Sequence, residues 1–303
     1  MYHDFNYPAI LAASSRASWE IEDVIPAGAR LDFARPFMPE ALARTAGIAG
    51  LSDDEKRILN QIRGHDYLSI FGLVEEFILP FVLDHARPQL NGDDERVRAL
   101  LNFASEEAKH IHLFKRFHAA FTADFGHDCG VIGPAEAVAA EVLRHDPLSV
   151  ALVILMIEWM TQSHYVESVK DDADLDPLFK SLLRHHWMEE AQHAKLDTLM
   201  VETLAEGRSA QELANAIDGF FAIGLYLDAG IRAQAELNLK AFEGAVGRTF
   251  DAEAREAIVA QQHQALRWTY LGSGMVHPKF RATLGAISPE GLARIDEAAP
   301  SFA

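Results

Sequence analysis

The sequence predicts an all-α protein, with a four-helix bundle core that follows an irregular N-terminal arm and is itself followed by additional C-terminal helices. Three observations predict this. No stretch sustains the apolar–polar alternation of a half-buried strand. Helix-starting signatures recur along the chain. Two of the long helices they delimit carry the same five-residue pattern of carboxylates and histidine.

Taken in order, residues 1 to about 50 hold many turn-formers (Pro8, Pro26, Gly28, Pro36, Pro39, Gly47, Gly50) with Trp19, Phe33 and Phe37 interleaved. That mixture is too aromatic for a disordered tail. It reads as an irregular arm packed against something larger, with one short helix near Glu40 to Thr45. Ser52-Asp53-Asp54-Glu55 is a capping box, in which the serine oxygen accepts from the glutamate amide while the glutamate reaches back. The helix it opens runs to about Arg87, before Pro88, with a kink expected at Gly64. Asp93 and Asp94 open a second helix to about Gly126, and a short helix over Ala135 to Arg144 fits the connection that follows. Asp146-Pro147 and Asp176-Pro177 each place a capping carboxylate before a proline at the first helical position. They start a third helix, to about Asp171, and a fourth, to about Gly207. Ser209-Ala210-Gln211-Glu212 is another capping box and opens a fifth long helix to about Phe242. Helical pattern covers Asp251 to Tyr270, and Ser288-Pro289 starts the last helix. The expected organisation is one domain over 1–303: arm 1–50, core 51–207, additional helices 208–303.

Apolar residues make up 49% of the 303, and the mean hydropathy is −0.02, enough for one continuous core. The formal charge of −18, from 27 Lys+Arg against 45 Asp+Glu, lacks the basic footprint that nucleic acid or an anionic membrane would require. The single cysteine, Cys129, excludes an intrachain disulfide and any Cys-rich zinc or iron–sulfur site. Neither a basic-then-apolar leader nor an apolar run near the roughly 20 residues of a spanning helix is visible. A soluble, cytoplasmic protein is the expectation.

The shared pattern is Glu106-Glu107-Ala108-Lys109-His110 on the second helix and Glu189-Glu190-Ala191-Gln192-His193 on the fourth. Residues three apart share a helix face, so Glu107 with His110, and Glu190 with His193, can each grip one metal ion. With 14 His and 24 Glu in 303 residues, chance alone supplies about one Glu-x-x-His (14 × 24/303), so the pair needs support. Support comes from the other two helices, since a four-helix carboxylate site also needs a lone Glu from each of them. The third offers Glu158, inside the apolar run Leu152–Met160. The first offers Glu75 and Glu76, inside the apolar stretch Leu68–Leu83. Glu75 to Glu107 and Glu158 to Glu190 are both 32 residues (107 − 75 and 190 − 158), an internal symmetry that chance does not explain. Glu75 lies on the line of Leu68, Phe71, Ile78 and Val82, where a carboxylate is costly unless paired or metal-bound. Glu76 lies on a polar stripe with Ser69, Gly72, Pro80 and Asp84. The pattern favours Glu75 and leaves Glu76 as the alternative.

His186, four residues before Glu190, shares its face and could supply a further imidazole, whereas His185 points elsewhere. Glu106 and Glu189 are either solvated or accept the free N–H of a histidine across the bundle, fixing its tautomer. The other histidines (His3, His65, His85, His112, His118, His127, His145, His164, His263, His277) have no place in the pattern. Tyr165, seven residues after Glu158, is a packing residue that could approach the cavity. Phe71, Phe103, Phe114 and Ile154 are candidate apolar walls.

At these residues the chain resembles the ferritin-like di-iron superfamily, and within it the p-aminobenzoate N-oxygenase family of di-iron oxygenases, over roughly residues 50 to 205. The set His186-x3-Glu190-x2-His193 carries the closer likeness. The resemblance implies a ferritin-like fold with ligands Glu75, Glu107, His110, Glu158, His186, Glu190 and His193. It implies two iron ions, with manganese suited to the same donors, and dioxygen as co-substrate. It implies oxidation of a small organic molecule, often at nitrogen. Electrons would come from an external donor, and the elements outside the core would build a substrate pocket or a homodimer interface. An iron-handling ferroxidase without organic substrate is the alternative, disfavoured by about 50 residues before the core and about 100 after it. A helical scaffold with a coincidental pattern is the third reading.

Overall fold

The computed structural model describes residues 2–303, and among them every regular element is helical. In chain order these are α1 (Tyr7–Ala17), α2 (Ile21–Val24), α3 (Glu40–Ala43), α4 (Asp53–Ala86), α5 (Asp94–Phe125), α6 (Ala135–Leu143), α7 (Pro147–Ser163), α8 (Pro177–Ala205), α9 (Ala210–Val246), α10 (Ala252–Arg267), α11 (Ser273–Met275), α12 (Pro278–Ile287) and α13 (Pro289–Ala298). The long helices start where local chemistry satisfies their free amides. Ser52 and Glu55 form the capping box of α4, and Ser209 and Glu212 that of α9. Asp93, Asp146 and Asp176 accept backbone N–H bonds at the starts of α5, α7 and α8, the last two ahead of proline. Gly126 and Gly247 close α5 and α9 in the left-handed conformation, φ 79° and 68°.

Helices α4, α5, α7 and α8 form the central bundle, α4 packing along α5 and α7 along α8. α9 lies across α7 and α4, α10 packs on α9, and α12 rests on α7, α8 and α13. α7 is apolar around nearly its whole circumference and is buried accordingly, from Leu148 to Thr161. Glu158 is the sole carboxylate in that run.

Two expectations are corrected. The first third of the arm is helical: Asn6 Oδ1 accepts from Ala9 N at 2.9 Å, Pro8 sits in the first turn, and α1 packs on α5 and α8. Pro8 is therefore a helix-starting residue and not a turn-former. α4 runs unbroken through Gly64 from Asp53 to Ala86. The glycine admits the arm, since a Cβ there would stand 2.7 Å from Phe37 Cβ. The third and sixth long stretches are not α-helical throughout. α7 continues into a π-helical turn, His164–Val169, and α10 into another, Trp268–Gly272. No described helix is long and apolar enough to cross a membrane.

Candidate metal centre

All four helices of the bundle send carboxylates inward at one level. Glu75 comes from α4, Glu107 with His110 from α5, Glu158 from α7, and His186, Glu190 and His193 from α8, every one of them buried. Donor atoms of Glu75, His110, His186 and Glu190 lie within 4.8 Å of one another, and so do those of Glu107, His110, Glu190 and His193. Glu158 adjoins Glu190, whose charge, added to burial, holds the Glu158 carboxyl well above the usual range. Glu76 turns outward, its Oε1 3.9 Å from the exposed Lys115 ammonium. Hence the adjacent glutamates of α4 face opposite environments, and Glu75 is the one inside.

The histidines are oriented from behind. His110 Nε2 donates to Glu189 Oε2 at 2.8 Å, and His193 Nε2 donates to Glu106 Oε2 at 2.9 Å, each bond crossing between α5 and α8. With Nε2–H spent outward, each Nδ1 turns a lone pair inward. Aromatic rings hold the imidazoles in place. Phe103 stacks on His193 at 4.1 Å, and Trp19 stacks on His110 at 5.8 Å. Phe71 and Phe114 meet His186 edge-on at 5.4 and 5.2 Å. Ile154 is fully buried on α7.

The inward atoms fit a metal ion better than they fit one another. His110 Nδ1 lies 3.0 Å from Glu190 Oε1, and His193 Nδ1 2.9 Å from Glu107 Oε1, yet His110 Nδ1, Glu190 Oε1 and both Glu107 oxygens lack a hydrogen-bond partner. With neutral rings, lone pair would face lone pair at such distances, which is repulsive unless a cation sits between. Without metal, a second ring proton takes that place, and the carboxylates accordingly raise both histidines. Two donors each about 2.1 Å from one ion, at right angles, stand about 3 Å apart. Glu75 Oε2 and Glu158 Oε2 are likewise buried without partners. Burial, with the charge of Glu107, pushes the Glu75 carboxyl up to about 8, and burial with the charge of Glu190 raises that of Glu107. Glu190 moves the other way. Against the cost of burial, His186 and His193 hold it well below the usual carboxylate range. Four glutamates cannot all ionise here on the chain's own cations, whereas two divalent ions would balance their four charges.

One further buried carboxylate escaped the sequence reading. Asp197, one turn after His193 on α8, is fully buried with neither oxygen partnered, and burial raises it well above the normal range. Extending the stripe His186, Glu190, His193 by four residues reaches it. Of the ten histidines set aside, His164 shares a cavity wall with His186. It lines a small cavity with Tyr67, Thr161, Tyr165, Leu183 and His186, on the π-helical turn that follows α7. Burial depresses His164 to about 3, so it is neutral. Ser273 Oγ donates to Thr269 O, and therefore accepts from His164 Nε2 at 2.9 Å. His164 Nδ1 must then accept from the Tyr67 hydroxyl, at 3.0 Å. Tyr165 stacks on Trp187 at 4.4 Å beside this space.

A family model described as p-aminobenzoate N-oxygenase AurF matches residues 10–266. Among solved structures, the chain is similar to an R2-like ligand-binding oxidase, a glycine-to-leucine mutant with an Fe/Fe cofactor. That match has 17% identity over 87% of this chain and 96% of the other, with a TM-score of 0.47. It is also similar to an R2-like ligand-binding oxidase with a Mn/Fe cofactor, at 15% identity over 88% and 97% of the two chains and a TM-score of 0.44. No curated protein sequence matches it. On the family match, which spans the whole bundle together with most of α1 and of α10, the chain belongs to the p-aminobenzoate N-oxygenase AurF family and is a non-haem di-iron enzyme.

Proposed function

We propose that Glu75, Glu107, His110, Glu158, His186, Glu190 and His193 hold two iron ions, and that the protein uses them to oxidise a small organic substrate, at nitrogen among other positions. The observation that carries this reading is the convergence of buried carboxylate oxygens and imidazole nitrogens from four helices on two shared points, several of those atoms without a hydrogen-bond partner. When bound, the two ions supply the reduction of dioxygen, with electrons from an external donor. The chain's own part is positional. Glu106 and Glu189 fix the ring orientation of His193 and His110. Phe71, Phe103 and Phe114 keep water from the inner face.

Beside His186 and the Tyr67–His164 pair lies a small cavity with room for about one water molecule, so it reaches a substrate through a polar group or a bound water and does not enclose the molecule. The Tyr67 proton is committed to His164, so the phenol oxygen can only accept, which suits an N–H or O–H of the substrate. The extra elements build this space: Met38 and Leu42 from the arm and α3 line it directly, and the π-helical turn after α10 contributes Thr269, whose carbonyl fixes the Ser273 hydroxyl.

Anaerobic titration of the metal-free protein with ferrous iron tests the reading. About two ions per chain are expected, followed on oxygen exposure by an absorption change that requires both. Arylamines and hydroxylamines are then assayed for oxygen-dependent loss. Uptake of fewer than one ion per chain would sink the metal centre, while two ions with oxygen reactivity but no turnover of nitrogen compounds would remove only the nitrogen chemistry.

A further inference from the structure

The two halves of the centre repeat one pattern but differ at its fourth position, Lys109 in α5 against Gln192 in α8. The structure gives that difference a direct consequence. Lys109 Nζ donates to Glu189 Oε1 at 2.5 Å and to the Trp19 carbonyl at 3.0 Å, and it sits 4.0 Å from the centre of the Trp19 ring. Glu189 is fully buried, and its other oxygen is the one that takes the N–H of His110. A half-buried ammonium, an aromatic face and a fully buried carboxylate thus back one imidazole. Behind His193 the arrangement is different. Gln192 turns to Lys195, accepting at 3.0 Å, and Glu106 has no cation: its side chain is 9% exposed and reaches solvent at the rim.

We propose that Lys109 makes the two imidazoles unequal donors, weakening His110 relative to His193, so that it acts on one of the two metal ions and spares the other. A carboxylate accepting a ring N–H pushes electron density to the opposite ring nitrogen and strengthens it as a ligand. A charge-assisted bond from an ammonium withdraws part of that density, and more so where the carboxylate that receives it is buried. The ammonium also stands behind His110 and not behind His193, so its repulsion of a cation held by His110 would act in the same direction. Lys109 is a positioning residue here, acting through Glu189 and never on substrate. The inference rests on the reading of the cluster as the metal centre.

The test is anaerobic calorimetric titration of the metal-free, full-length chain with Co(II), paired with proton NMR of the exchangeable, hyperfine-shifted ring N–H signals of the Co(II)-loaded protein. Lys109→Gln copies the pattern already present in α8, and is expected to tighten one binding step by about 10-fold or more while the other changes at least five times less. It should displace one ring N–H signal only, the one that Glu189→Gln also displaces. Lys109→Arg, which keeps the charge, should leave both constants and both signals near wild type. Glu106→Gln should weaken the other step and move the other signal, which assigns each step to its histidine, and Lys109→Met takes the place of Lys109→Gln should that variant fold poorly. Two bound ions whose constants shift together in Lys109→Gln, or do not shift at all, would overturn the proposal and leave the metal centre standing. A wild-type chain that takes up no Co(II) would overturn both.

Discussion

Asn60 and Glu75 lie on the same helix, both are buried, and they illustrate two opposite uses of a polar group in a core. Asn60 ties the arm to the bundle: its Oδ1 accepts from Phe37 N at 2.8 Å and Met38 N at 3.0 Å, and its Nδ2 donates to Met38 O at 2.7 Å. Its bonds are made within the chain. Glu75 has one oxygen near His186 and the other without any partner, and its neighbours repeat the pattern of unmet lone pairs. The first arrangement stabilises the fold; the second costs stability and acquires meaning only with something bound. A satisfied buried network marks structure, and an unsatisfied one of matched donors marks a site.

The sharpest way to break this comparison is Glu107→Gln. The change removes a charge from a crowded carboxylate cluster and keeps its shape. Metal affinity should fall by about 100-fold or more, while the metal-free fold is unchanged or stabilised by about 1–4 kcal/mol. Metal analysis together with chemical denaturation of the metal-free protein reads both effects. A metal-free variant clearly less stable than wild type would show that Glu107 is a structural group like Asn60. Asn60→Ala should do the reverse. It leaves two backbone N–H groups and a carbonyl buried without partners, so a loss of about 3 kcal/mol is expected in the denaturation midpoint. Metal stoichiometry at low temperature should stay near wild type.

Much of this contrast was legible in the sequence, and the rest was hidden for identifiable reasons. Helix starts are local chemistry, so Ser52, Asp146, Asp176 and Ser209 announced them, and the equal spacing of Glu75–Glu107 and Glu158–Glu190 announced two like halves. Asn6 with Pro8 is the same starting device, hidden among the turn-formers of the arm. The inward turn of Glu75 followed from its apolar line, and the structure agrees by setting Glu76 against Lys115. The crossed bonds Glu106–His193 and Glu189–His110 could not be chosen over solvation, because they depend on which helices face each other. Trp19 gives no local signal at all. Its place on His110 follows from where α1 and α2 lead the chain, with the indole N–H fixed to the His185 carbonyl at 2.9 Å.

Changing pH sharpens the comparison without any mutation, and with the smallest expected effect. Glu75 is raised to about 8 by burial and the charge of Glu107. A group whose folded pKa exceeds its unfolded value favours the fold below the unfolded value, and that support is lost as pH rises through the folded one. His110 and His193 are raised too, against burial and by the carboxylates around them, so they act with the same sign from their ordinary range upward. Glu190 is depressed and acts with the opposite sign, but in acid, below its ordinary value. Between pH 6 and 8 the metal-free protein should therefore lose stability as pH rises, on the order of 2 kcal/mol from Glu75 alone. The same protons must leave for ions to enter, so metal affinity should rise over that interval with proton release. The metal-loaded protein should show a flatter stability profile, since its carboxylates are already ionised. The Asn60 network contains no titrating group, so Asn60→Ala should shift the whole metal-free profile down without changing its slope, whereas Glu107→Gln should flatten it. Denaturation midpoints at three pH values for wild type and both variants decide this. Equal slopes in all three would mean that the buried glutamates do not govern the metal-free fold.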